Sequence, residues 1–275
     1  MNTEADFFKQ LENLTAGSLA VVGIPFDAYS SYLRGCAAAP ALIVEAYHSP
    51  SSNYYTELGY DLENDPAIAF VGDLPISTYF DIEKGIKAII DAGGRTIALG
   101  GDHSIAYPII KAQAQRYPNL TILQLDAHGD LYQEFEGNPY SHACPFARIM
   151  EDGLAKRLVQ VGNRTLSKHQ RIQALRFGVE IIEMKDWHRG LPITLEGPVY
   201  VSLDLDVLDP AFAPGLSHYE PGGMSPRDVM HIIHQIKAPI VGADIVEYNP
   251  SRDVNGMTAM VAARFLKELI GKILS

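Results

Sequence analysis

Hydrophobic residues fall along this chain in short continuous runs, not in strict alternation. Runs at 18–24, 67–71, 95–99, 120–125, 157–161, 179–183, 197–203 and 239–246 read as strands covered on both faces. Between them, apolar positions recur at helical spacing, which predicts helices over 38–48, 80–92, 104–117, 141–152, 168–177, 225–236 and 256–273. Strand–helix alternation of this kind gives an α/β fold: a mainly parallel sheet with helices on both sides, a three-layer αβα sandwich. No linker, internal repeat or low-complexity segment divides the chain, so a single domain over residues 1–275 is expected.

In parallel sheets ligands collect outside the carboxyl ends of the strands. The unusual residues of this chain lie there. Strand 95–99 is followed by Gly100-Gly101-Asp102-His103-Ser104, strand 120–125 by Asp126, His128 and Asp130, strand 197–203 by Asp204 and Asp206, and strand 239–246 by Glu247. Each piece alone has an ordinary reading. Asp often caps a helix after a strand, and Gly100-Gly101 could be a plain strand–helix turn. Among them the set His103, Asp126, His128, Asp130, Asp204 and Asp206 brings four carboxylates and two imidazoles to one sheet edge, where like charges repel unless a cation sits among them. A closed structural zinc site takes four ligands, commonly Cys or His. Six mixed O/N ligands exceed what one small cation needs, and four negative charges balance two divalent ions. Oxygen-rich ligation with some imidazole suits Mn²⁺, with other divalent metals able to occupy similar ligands. A water bridging two such ions loses a proton near neutral pH, which points to hydrolysis.

Composition narrows the class without naming it. Apolar residues make up 47% and charged residues 20% of 275, as in ordinary globular enzymes. A net charge of −11 argues against nucleic acid and suits a small cationic substrate. No apolar run approaches membrane-spanning length. The N-terminal Met-Asn-Thr-Glu-Ala-Asp resembles neither a secretory signal nor an Arg-rich transit peptide. With Cys36 and Cys144 read as free thiols, the expectation is a cytoplasmic protein.

The segments Gly-Gly-Asp-His-Ser (100–104), Asp-Ala-His-Gly-Asp (126–130), Ser-Leu-Asp-Leu-Asp-Val-Leu-Asp-Pro-Ala-Phe-Ala-Pro-Gly (202–215) and Val-Glu-Tyr-Asn-Pro (246–250) resemble the ureohydrolases, that is arginase, agmatinase and their relatives. The resemblance runs from about residue 18 to the C-terminus. It looks nearest to plant-type arginases and their bacterial relatives, through segments such as 30–35, 135–143 and 255–265. It implies an arginase-like fold and two Mn²⁺ ions held by His103, Asp126, His128, Asp130, Asp204 and Asp206. The two histidines would sit on different metals, with Asp126 and Asp206 bridging. The implied catalytic set is His142, Glu247 and Asp130: Glu247 holds the substrate guanidinium and His142 passes a proton to the leaving amine. Elementary chemistry agrees, because a guanidinium stays protonated and needs an anionic clamp, and an amine leaving near pH 7 needs a general acid.

For the rest of the substrate the sequence says less. Positions that grip the amino-acid end of arginine in animal-type arginases correspond to Tyr132 and the region of Ser167, which do not match. Asn138, Ser141 and His218 are the candidate substrate-tail residues, with Tyr219 as a further pocket candidate. His48, His169, His188, His231 and His234 read as surface or helix residues. Gly129 departs from the proline usual in plant-type relatives, and a glycine there is expected to loosen the backbone that aims the ligands. The expected reaction is cleavage of L-arginine to urea and ornithine. The alternatives are agmatine or another guanidino compound and, further off, a single-metal amide deacetylase or a non-catalytic binding protein. The resemblance also implies a homo-oligomer, trimeric or hexameric.

Overall fold

The structure, a computed structural model, describes residues 4–275. Its strands are β1 (Leu19–Ile24), β2 (Ile68–Asp73), β3 (Arg95–Gly100), β4 (Thr121–Leu125), β5 (Arg157–Val161), β6 (Glu180–Ile182), β7 (Val199–Asp204) and β8 (Ile240–Val246). They form one eight-stranded sheet in the order β2-β1-β3-β8-β7-β4-β5-β6, every pairing parallel. The helices are α1 (Glu4–Leu11), α2 (Ala39–Tyr47), α3 (Asp81–Asp91), α4 (Ala106–Arg116), α5 (Pro145–Glu151), α6 (Lys168–Phe177), α7 (Pro226–Gln235) and α8 (Met257–Leu274).

Side chains alternate across a strand, so each strand feeds two cores. On one face Val21, Ile97, Leu123, Val201 and Ile245 pack with residues of α2, α7 and α8. On the other, Ala20, Ala98, Ile122, Tyr200 and Val241 pack with residues of α1, α3, α4 and α5. Both faces are therefore covered, as the continuous apolar runs require.

The expected strands are all present to within two residues, and two helical expectations need correction. The helix expected over 141–152 begins at Pro145, which occupies its first turn. Proline lacks the N–H and fits the start of a helix, not its interior. Residues 141–144 are thus left as a loop, and that loop carries His142. The stretch expected as helix from 104 opens with a 3₁₀ turn, His103–Ile105, before α4. Helix α1 was not expected at all: it is eight residues long and rests on buried Phe7 and Leu11, too short for its periodicity to stand out.

Strand order positions the site. The chain runs from β3 to β4 across a gap that β7 and β8 fill only later. The four strands that end in candidate ligands, β3, β8, β7 and β4, therefore lie side by side at the centre of the sheet. This switch in strand order is where open parallel sheets form crevices.

Candidate metal centre and active site

Past β3 the backbone turns tightly at Gly101. A Cβ built there would lie 1.7 Å from the Phe26 carbonyl oxygen, so only glycine admits the neighbouring loop. Asp102 then caps the 3₁₀ turn. Its carboxylate accepts from Ser104 N–H at 3.0 Å and from Tyr29 N–H at 3.0 Å. Asp102 is spent on backbone, and His103 is delivered into the site.

His103 is the centre of the first ligand group. Its Nδ1 lies 3.1 Å from Asp126 Oδ2, 3.1 Å from Asp130 Oδ2 and 3.2 Å from Asp204 Oδ2. It nevertheless makes no hydrogen bond. At the other nitrogen, Nε2 is 2.9 Å from Ser202 Oγ, whose own proton goes to Asp244 at 2.8 Å. Ser202 therefore accepts from Nε2–H, which fixes the ring so that Nδ1 faces three carboxylate oxygens, a candidate ligand set. Burial opposes an imidazolium there, but Asp126, Asp130 and Asp204 outweigh it and hold the ring's pKa well above its usual value. Burial, then repulsion from Asp126, pushes Asp130 up to about 6. Burial, then Asp206, pushes Asp204 well above the usual carboxylate range. A cation at this point would relieve both.

The second group is Asp126, His128 and Asp206. His128 Nδ1 is 2.7 Å from Asp206 Oδ2 and 3.6 Å from Asp126 Oδ1. Asp126 thus has one oxygen toward each histidine. Asp206 faces His128 only, because its other oxygen accepts from Ala127 N–H at 3.0 Å. The structure brings all six candidate ligands together, with His103 and His128 in separate groups. Of the two acids expected to bridge, Asp126 lies near both histidines and Asp206 near His128.

Polar side chains from neighbouring strands brace the 126–130 loop. Gln124 donates to Asp126 Oδ2 at 2.7 Å, Gln160 to the Gly129 carbonyl at 2.6 Å, and Asn163 to the Asp126 carbonyl at 3.2 Å. This corrects the expectation that Gly129 loosens the loop. Its φ is not in the left-handed region, and a Cβ there would meet Gln170 Oε1 and Leu166 Cδ2, each at 2.7 Å. Glycine at 129 leaves room for the ends of these two side chains.

His142 and Glu247 stand beside the ligands. Glu247 follows β8 with φ +65°, and Asp130 follows β4 with φ +48°, a left-handed conformation uncommon outside glycine and associated with functional positions. Glu247 Oε1 accepts from His103 N–H at 2.8 Å and meets His142 Nδ1 at 2.8 Å. Burial opposes the His142 imidazolium, but Glu247 outweighs it and pushes the ring's pKa up to about 9. Ser31 Oγ lies 2.7 Å from Nε2 and can accept its proton, so the ring can carry one proton toward Ser31 and one toward Glu247.

A cavity of about 200 Å³ opens onto this constellation, lined in part by His128, Asp130, Asp204, Asp206, His142 and Glu247. His218 also lines it, its ring 5.2 Å from that of His142 and 6.0 Å from that of His128. Burial lowers the His218 pKa. Asn138 and Ser141 are not among the residues that line it. The Asn138 side chain closes its own turn by accepting from Tyr140 N–H at 2.9 Å, and the Ser141 hydroxyl faces the Tyr29 carbonyl. Tyr219 is exposed, 4.7 Å from the Arg252 guanidinium, and lies outside the lining as well.

Sequence reasoning missed Ser31, Phe135, Thr165 and Gln170, which also line the cavity, and Cys36, whose thiol lies 3.7 Å from Glu247 Oε2. It set aside Tyr132, which lines the cavity and stacks on His169 with ring centroids 5.5 Å apart. Thr165 and Gln170 follow the end of β5, a signal that was available. Ser31 and Cys36 come from a loop with no strand-end signature.

The arrangement matches known proteins throughout. The chain is 46% identical over 278 residues to "Arginase 1, mitochondrial" of Arabidopsis thaliana, covering 93% of this chain and 81% of that one. It is 32% identical to an agmatinase of Bacillus anthracis, covering 96% of this chain and 94% of that one. Among solved structures, an arginase from Medicago truncatula superposes with a TM-score of 0.92 at 40% identity, covering 98% of this chain and 94% of that chain. The expectation of a cytoplasmic protein is corrected by these relatives: the Arabidopsis protein is named mitochondrial, so an N-terminus unlike an Arg-rich leader does not establish the cytosol. No helix among the described residues is long and apolar enough to cross a membrane. With the arginase family model matching residues 17–271 and the ligand-bearing strand ends gathered at one cavity, the chain belongs to the arginase family, the ureohydrolases.

Proposed function

We propose that this protein is an arginase, hydrolysing L-arginine to urea and ornithine with two Mn²⁺ ions per chain, in a single domain spanning residues 1–275. The observation that carries the reading is that both ligand groups and the Glu247–His142 pair meet at one small cavity. The orphaned Nδ1 of His103 among three carboxylate oxygens fits a metal there. His103, Asp126, Asp130 and Asp204 would hold one ion, and Asp126, His128 and Asp206 the other. When bound, the metal pair neutralises these acids and lowers the pKa of water enough to supply a nucleophile near neutral pH.

The remaining steps belong to the protein. A third cluster, His142, His218 and Glu247, places ligand-type atoms within 4.8 Å of one another. With one carboxylate and two rings it suits a planar guanidinium better than a third metal. Glu247 is the only charged acid of this cluster and clamps the guanidinium. Once the guanidinium occupies Glu247, the His142 imidazolium gives its Nδ1 proton to the departing amine and is left as the neutral ring, its other proton on Nε2 toward Ser31 Oγ. His218 supplies a neutral aromatic wall.

Arginine is favoured over agmatine because identity to the plant arginase exceeds identity to the agmatinase, 46% against 32%, at similar coverage. A urea-release screen with Mn²⁺ across arginine, agmatine and guanidinobutyrate tests this. Release from arginine is expected; release from agmatine with none from arginine overturns it. A homo-trimer or hexamer belongs to the same reading and is measured by light scattering.

A further inference from the structure

We propose that Gln170 recognises the carboxylate end of the substrate by donating from its amide nitrogen, and that Gly129 is what allows it to stand there. The inference rests on the arginine reading above. Gln170 lies in the first turn of α6, is 4% exposed, and lines the same cavity as the ligands. Its side-chain amide makes no hydrogen bond among the described residues, and its buried Oε1 is without a partner. Its Nε2 makes no hydrogen bond among the described residues either, which leaves that donor available to a ligand at the cavity wall.

Packing decides which end of the amide is offered. A Cβ built on Gly129 would lie 2.7 Å from Gln170 Oε1 but 3.6 Å from its Cδ. The oxygen is therefore the end turned against the loop, and Nε2 is the end left for the cavity. Arginine differs from agmatine by one carboxylate. The acids lining the cavity, Asp130, Asp204, Asp206 and Glu247, are acceptors when ionised and offer a carboxylate no donor. At the wall the uncharged polar side chains include Tyr132, Thr165 and Gln170. Gln170 is the buried one, so a hydrogen bond to it forms where water competes least. The substrate's ammonium, present in both compounds, does not need this donor.

The test is calorimetric binding of L-ornithine and of putrescine, its decarboxylated counterpart, to Mn²⁺-loaded wild type, Gln170→Leu and Gln170→Glu. Wild type is expected to prefer ornithine. Gln170→Leu should weaken ornithine about tenfold, the scale of one charge-assisted hydrogen bond, and leave putrescine unchanged. Gln170→Glu should weaken ornithine further without weakening putrescine. The proposal is overturned by an unchanged ornithine affinity, by equal weakening of both ligands, by tighter binding of both to Gln170→Glu, or by a wild type that does not distinguish them. Arginine turnover by the same wild-type preparation tests the substrate reading separately. Turnover with no ornithine selectivity overturns the role of Gln170 alone; selectivity with no turnover overturns the substrate reading alone.

Discussion

His142 and Glu247, 105 residues apart in sequence, meet at 2.8 Å, and the same Glu247 oxygen also accepts the His103 backbone N–H. One carboxylate oxygen thereby ties the proton-carrying ring to the backbone of a metal-site histidine. The two side chains should fail differently. His142→Asn removes the proton donor and should lower kcat by about 10²–10⁴-fold with little change in KM. Glu247→Gln removes the guanidinium's countercharge and should lower kcat/KM by about 10²–10³-fold, chiefly through KM. Steady-state urea release distinguishes them, and equal effects on KM would contradict the assigned roles.

Asp126 has an oxygen toward each histidine, whereas Asp206 faces only His128. Asp126→Asn should therefore lower occupancy of both ions, and Asp206→Asn that of one. Metal content measured after dialysis reads this directly. Wild-type melting temperature should fall on chelation and rise with metal concentration, as linkage requires.

Burial and Asp126 raise Asp130 from about 3.8 to about 6 in the absence of metal. An acid with a raised folded-state pKa contributes stability in full below its unfolded value and loses it as pH rises through the folded value. Metal-free protein should therefore lose stability between about pH 4 and pH 6 on this account. Metal binding, which needs the carboxylate, should strengthen over the same range. Thermal melts of metal-free wild type and Asp130→Asn across that range check it; the variant should show the shallower slope.

Gly129→Ala puts a methyl group within 2.7 Å of Gln170 Oε1 and Leu166 Cδ2. Because both atoms are the ends of flexible side chains, the overpacking should cost about 1 kcal/mol, the low end for such changes. Adding Gln170→Ala makes room, so the double variant should be less destabilised than the sum of the singles. Denaturant unfolding of the four proteins closes the cycle, and strict additivity would count against the contact.

Much of this molecule was determined by sequence alone. Continuous apolar runs fixed eight strands because both faces of a parallel sheet must be dry, and the residues after those runs include every member of the two candidate ligand groups that the structure gathers. Pro145 even marked where α5 begins, although the helical periodicity around it concealed the signal. Tertiary structure alone decided the rest. Strand order set β3, β8, β7 and β4 side by side, and no local pattern encodes which strands become neighbours. The same holds for the cavity wall. Ser31, Cys36 and Gln170 are ordinary residues in ordinary local surroundings, while Asn138 and Ser141 sit in the family-like motif with hydrogen bonds to their own loop and to Tyr29. Metal ligands are legible because their charge would be untenable anywhere else in a core. Residues that shape a substrate's tail are uncharged and tolerable almost anywhere, so only their placement in space reveals them.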